Sequence, residues 1–256
     1  MNEQQYPLLE QLHVLRTSVL CSMRDRAFDV LPLYLAGYAD GIVSGCRLEA
    51  NAETITLLPG LVKHENFLYL LREPMRVFYE PTDAYVSLRL FFPGSEESEM
   101  FVTRTVELDI TPDLEPTRDT LELCRFKLKT GAMLRSRYRD FFDRVTEYDT
   151  LNTIYSPFAA QGGSTLSPDI TRAFAGAAQA YELTPLDQSF VLAALGGQTM
   201  TAAQIAFYIR QRLGMAELPA GNEALYEGLA RILREISGIR RTKAAPVRGR
   251  REVLVD

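Results

Sequence analysis

A chain of 256 residues, 46% apolar and 24% charged with a net charge of −5, can bury a core without a metal or disulfide staple. That composition excludes a disordered chain, and its slight acidity excludes a body built to coat nucleic acid or an acidic membrane, where Lys and Arg dominate. The longest nearly unbroken apolar run, Val30 to Ala39, holds Pro32 and Gly37 and falls far short of the roughly 20 residues that a membrane helix needs.

Residues 1–5 have no basic region leading into an apolar stretch, so no secretory signal is expected, and synthesis is expected in the cytoplasm with no membrane anchor. Leu12, Leu15, Val19 and Met23 suit a helix, although residues 13–15 and 18–20 could pair as strands. Val30 to Tyr38 reads as a mostly buried helix. From Asp40 to Lys129 the period is two. Val86, Leu88, Leu90 and Phe92 alternate with Tyr85, Ser87, Arg89 and Phe91, and Val106, Leu108 and Ile110 alternate with Glu107 and Asp109. Between Thr120 and Lys129 the phase changes, which predicts a β-bulge near Leu123 or Cys124. Turn residues at Ala50-Asn51-Ala52, Pro59-Gly60, Glu65-Asn66, Glu80 to Asp83 and Pro93-Gly94-Ser95 separate short strands.

After Gly131 the period turns helical, with Leu134, Tyr138, Phe141, Phe142 and Val145 on one stripe. Tyr155 through Ser164 reads as a connecting loop. Ser167-Pro168-Asp169, Thr184-Pro185 with Asp187, and Thr201 with Gln204 then mark three helix starts, and Asn222 opens a fourth helix. The tail from Ile239 to Asp256 holds Arg240, Arg241, Lys243, Arg248, Arg250 and Arg251, so residues 1–238 carry about −9. The predicted fold class is α+β: an N-terminal helical segment, an antiparallel β-sandwich or small barrel, then a C-terminal helical bundle. The corresponding units are an N-terminal helix with a β-rich assembly domain at 1–130, a helical bundle at 131–238 and a basic tail at 239–256.

The residues offer little chemistry. The histidines are His13 and His64; His64 reads as a solvated turn residue, and two helical turns separate His13 from the Cys21 thiol. Cys21, Cys46 and Cys124 read as free thiols, and no Cys or His pair has metal-ligand spacing. No glycine-rich loop leads into Lys-Ser or Lys-Thr, and neither catalytic residues nor a cofactor or metal are expected. Residues 186–213 have the outline of a helix-turn-helix whose second helix would present Gln204, Arg210, Gln211 and Arg212, which gives one alternative, a DNA-binding regulator.

Between the first helix and the strands lie Asp40-Gly41-Ile42-Val43-Ser44-Gly45-Cys46, a hairpin, Ile55 to Val62 with Pro59-Gly60, and Phe67-Leu68-Tyr69. Gly45 permits a bulge or a positive φ, and Pro59-Gly60 suits a type II turn. Gly41, Ser44, Gly45, Pro59 and Gly60 form the structural turn motif. This order of parts resembles a recurring domain of tail-fibre and baseplate proteins in phages and phage-tail-like contractile particles, departing at Glu65-Asn66, where a glycine is common in that family. Tyr148 to Phe158 and Gly162 to Pro168 are similar to a segment in proteins of phage-tail-like gene clusters from Gram-positive gut bacteria. The resemblance covers roughly residues 30 to 200.

It implies a structural component at a baseplate or fibre attachment point, synthesised without a signal peptide and assembled into a virion or tail-like particle. The partners it implies are other tail, baseplate or fibre subunits and further copies of the chain, with a trimer suggested by fibre symmetry and nucleic acid not expected. Tyr85, Phe91 and Phe101, on outer strand faces, are the candidate interface residues. A receptor- or glycan-binding tail module is a further alternative.

Overall fold

The computed structural model describes residues 16–65 and 67–238. In chain order it contains α1 (Thr17–Tyr34), β1 (Gly41–Gly45), β2 (Leu48–Ala50), β3 (Thr54–Leu57), β4 (Gly60–His64), β5 (Phe67–Leu71) and β6 (Met75–Phe78). There follow β7 (Thr82–Phe91), β8 (Ser95–Glu97), β9 (Val102–Arg104), β10 (Glu107–Thr111), β11 (Thr120–Leu128), a 3₁₀ turn (Phe142–Val145), β12 (Phe158–Ala160) and β13 (Gly163–Thr165). The helices α2 (Pro168–Ala178), α3 (Pro185–Leu195), α4 (Ala202–Leu213) and α5 (Asn222–Ile236) complete it. The helical positions Leu12 and Leu15, His13 and the basic tail lie outside the described residues.

The α+β class holds, but the strands form neither a closed barrel nor one antiparallel sandwich. Among the described residues they make a five-stranded sheet ordered β13-β12-β1-β4-β5, two three-stranded sheets ordered β10-β7-β11 and β2-β3-β6, and the separate hairpin β8-β9. β1 and β12 run parallel, with Ile42 opposite Phe158. This pair joins segments more than a hundred residues apart and converts much of the expected loop at 155–164 into two strands. The Ile42 amide donates to Pro157 O at 2.9 Å and the Ala39 amide to Ala160 O at 3.0 Å.

The strand core gathers Ile55, Leu57, Val62, Leu88, Leu90 and Phe126. Opposite β7, β11 shifts register between Glu122 and Cys124, so Leu123 and Cys124 are both buried, as the phase change predicted. The outer face of β7 departs from the expected alternation, because Ser87 and Arg89 are buried. The chain between β10 and β11 folds over them. Arg89 Nη1 donates to Glu115 O at 2.8 Å, Arg89 Nε to Ser87 Oγ at 3.1 Å, and Arg125 Nη2 to Leu114 O at 3.1 Å. Guanidinium groups thus satisfy backbone carbonyls where apolar side chains would leave them unpaired.

The helix expected over 134–145 does not form; apart from the 3₁₀ turn this stretch is irregular. Its apolar residues serve different cores, Leu134 the strands and Phe141 the helices, where the Phe141 ring stacks on Tyr226 at 4.9 Å. Local side chains also compete with helical bonding. Asp140 Oδ1 accepts the Phe142 and Asp143 amides, and Asp143 Oδ2 accepts the Arg139 amide. Arg135 reaches both Asp143 and Asp149, and its guanidinium holds the Asp143 carboxyl far below the ordinary carboxylate range. The bundle is therefore helical only from Pro168 onward.

There the predicted helix starts are met. Ser167 Oγ accepts the Asp169 amide, while Thr184 with Asp187 and Thr201 with Gln204 close full capping boxes. Gly214, at φ 64°, ends α4 in the left-handed conformation. Phe174, Phe190 and Tyr208 fill the helical core, with Phe190 and Tyr208 stacked at 4.0 Å. Gly228 in α5 lets Ile209 of α4 approach closely: a Cβ there would sit 2.7 Å from Ile209 Cδ1. Gly228→Ala should cost about 1–2 kcal/mol by overpacking, despite a helix propensity gain of about 1 kcal/mol, and urea denaturation would measure it.

Candidate assembly surface

The turn motif is a backbone crossing. β1 gains a residue at Val43, between the pairs Ile42–Val62 and Ser44–Leu61, and Gly45 pairs with Gly60. Gly45 and Cys46 follow each other with φ of 69° and 55°, which realises the positive φ predicted for Gly45. Gly60 has no positive φ, and Pro59-Gly60 links strands of two different sheets, so it is not the expected type II turn. A glycine is needed there because the Cys46 amide and thiol and the Ser44 carbonyl crowd its missing Cβ. The Cys46 amide donates to Pro59 O at 3.1 Å. Burial pushes the Cys46 thiol up to about 12, so the thiolate, its reactive form, is scarce at neutral pH. Gly41 likewise faces the β12 backbone, and Ser44 and Pro59 are exposed.

Glu65 has a positive φ of 52° where the resembling family favours glycine. Asp40 Oδ2 accepts its amide at 2.8 Å, and its carboxylate pairs with Arg118 at 2.8 Å, two contacts that offset the unfavourable backbone conformation. His64 is not a solvated turn residue. It is buried at the end of β4 and its ring stacks on Phe92 at 4.0 Å, close to Tyr69. Among the described residues no group of His, Cys, Asp and Glu could hold a metal ion, and no helix is long and apolar enough to cross a membrane.

The three candidate interface residues do not come together. Tyr85 is exposed in the first half of β7, 5.8 Å from Lys127 Nζ, and Phe91 is half-buried at its far end, about 20 Å away at strand rise. Phe101 is exposed in the connection between β8 and β9, with Met100 beside it and Val102 after it. The larger exposed apolar surfaces lie where sequence reading expected burial or offered no signal. On α1 they include Leu20, Met23, Val30, Leu31, Leu33 and Tyr34. On the helical hairpin they are Leu192, 75% exposed, with Leu195 and Phe207. One sequence signal does point to the last group: no Asp, Glu, Lys, Arg or His occurs from Gln188 through Ile209, and α3 is wholly apolar from Phe190 through Leu195.

The same helices argue against reading DNA. Gln204 Oε1 accepts the Thr201 amide inside its capping box. Arg212 pairs with Asp187 at 3.1 Å and Glu235 at 3.7 Å, and Arg210 is half-buried with its Nε enclosed. Of the four side chains expected to face a groove, Gln211 alone is both exposed and uncommitted to a cap or an ion pair. No family model matches this sequence, and a search of curated proteins finds no match. Among solved structures the chain is similar to the crystal structure of TssK, at 8% identity over 92% of this chain and 72% of that chain, with a TM-score of 0.37.

Proposed function

We propose that this chain is a structural subunit of a contractile tail or tail-like injection particle, placed at the baseplate or a fibre attachment point. It acts by binding neighbouring subunits, including copies of itself, and catalyses no reaction. One observation carries the reading: large apolar side chains stand exposed on three separate elements, α1, the β8-β9 hairpin and the α3-α4 hairpin. Exposed apolar surface on that scale marks interaction sites in soluble proteins. The sequence resemblance at residues 40–62 and 148–168 supports the particular kind of assembly.

Tagged chain should co-purify with intact particles from its source, and purified chain should show no turnover. Leu192→Glu should shift folding stability by no more than about 0.5 kcal/mol, because the side chain is solvated, yet lower incorporation into particles at least tenfold. Particles that assemble and function with the chain deleted would end this reading.

A further inference from the structure

Two elements of this chain, α1 and the β8-β9 hairpin, lack the packing that elements of their kind need. α1 has Arg16 at its N-cap with no side-chain cap bond, no acid in its first turn, no base in its last turn and Pro32 inside it. Its 18 residues do not secure it, because most helical stability comes from packing an apolar face, and Thr17, Ser18, Val19, Ser22 and Val30 are weak helix formers. No described α1 side chain is buried. The β8-β9 hairpin has the same difficulty. Among the described residues its two strands pair only with each other, and a two-stranded hairpin is marginal by itself. Arg104, 3.3 Å above the Phe67 ring, ties down its base, and Ser98 fixes its turn by accepting the Phe101 amide at 3.1 Å.

Their exposed faces are complementary. At about 100° per residue, Leu20, Met23, Val30, Leu31, Leu33 and Tyr34 fall within an arc of about 160° of α1. Arg24 and Arg26 lie by position on its two margins, with Asp25 and Asp29 on the far side. A covering surface should be apolar at its centre and acidic at its rim. The hairpin offers Met100, Phe101 and Val102, 81%, 68% and 58% exposed, with Glu96, Glu97 and Glu99 around them. The Arg24–Asp25 pair lies in solvent, its side chains more than half exposed, so exchanging it for an intermolecular pair costs little. Homotypic α1 pairing would instead bring arginine margins together.

We propose that the apolar stripe of α1 docks on the β8-β9 hairpin of a second copy of this chain. Among the described residues neither surface is covered within the chain, and the proposed contact is intermolecular and head-to-tail, closing into a ring or continuing as an open array. This names a partner for the assembly reading and rests on it.

The test uses the full chain in sedimentation velocity over a concentration series, alone and as two charge-reversed variants: Arg24→Glu with Arg26→Glu, and Glu97→Arg with Glu99→Arg. Circular dichroism establishes that each variant is folded. Wild type should self-associate, less so as salt rises. Each variant alone should lose at least tenfold in association constant, and an equimolar mixture of the two should recover it, since each then meets an oppositely charged partner. Phe101→Ser, which leaves the charges intact, should weaken association to a similar degree. A wild-type chain that is monomeric throughout, or that binds anionic vesicles without self-associating, overturns the proposal. So does a reversal with no effect, or a mixture that fails to recover. A chain that enters particles but fails here loses only this contact; one that self-associates as described but never enters particles loses the assembly reading.

Discussion

Replacing Asp187 with alanine should cost about 3 kcal/mol, measured as a lower urea midpoint at unchanged slope. The side chain is 1% exposed and collects four donors from three residues. The Thr184 amide and hydroxyl reach Asp187 Oδ2 at 3.1 and 2.7 Å, and Tyr208 Oη and Arg212 Nε reach Oδ1 at 2.8 and 3.1 Å. Truncation removes the reciprocal half of the α3 capping box, strands the buried Tyr208 hydroxyl and leaves the partly exposed Arg212 guanidinium with Glu235 alone. Thr184→Ala, which removes the cap hydroxyl but keeps the ion pair, should cost nearer 1 kcal/mol. That ordering separates the ion pair from the cap.

The pH dependence follows from the same contacts. Burial pushes the Asp187 carboxyl up, but the bonds from Thr184 and Tyr208 and the Arg212 charge outweigh it, leaving the group below its ordinary value. Unfolded, it titrates near 3.9. A carboxyl depressed in the native state contributes stability that is fully present above the unfolded value and is lost as pH falls through the folded one. The stability gap between wild type and Asp187→Asn should therefore be constant near neutrality and narrow below about pH 4. A gap that stays constant down to pH 2, in chemical denaturation at matched ionic strength, would show that the charge of Asp187 contributes nothing.

What the residues reveal in advance follows the range of the interaction. The caps at Ser167, Thr184 and Thr201 were legible because a cap is closed within three residues, and the bulge at Cys124 because β11 is long enough for its phase to change visibly. The helix expected over 134–145 failed because its stripe is divided between two cores, which only the tertiary arrangement decides. The parallel pairing of β1 with β12 was hidden for a similar reason: Phe158-Ala159-Ala160 is too short to show a period and lies among turn residues. Of the candidate site, Phe101 and Tyr85 were legible as outward positions. The faces of α1 and α3 were not, because an apolar residue on a helix looks the same in sequence whether its own chain covers it or another does.

Gly60→Ala should be among the most damaging single substitutions in the strand half, at about 3 kcal/mol or more. The usual argument for a glycine, a left-handed backbone, does not apply, since Gly60 has an ordinary φ. The cause is the proximity of β1. A methyl group at residue 60 would meet the Cys46 amide nitrogen and Sγ and lie 2.7 Å from Ser44 O. Two of those three atoms belong to the backbone and cannot rotate away. Relief would require β1 and β4 to separate at the Gly45–Gly60 pair, which opens the sheet where Ile42 and Val62 anchor it in the core. Cys46→Ala removes one obstacle but leaves the amide and the carbonyl, so the double variant should recover only part of the loss. Gly37→Ala serves as the control: its Cβ would lie 3.7 Å from the Gln161 side chain, an ordinary contact, and its stability should stay within about 0.5 kcal/mol of wild type. Equal stabilities for the residue-60 and residue-37 variants in thermal denaturation would mean that the crossing yields freely, and that its glycine serves something other than close approach.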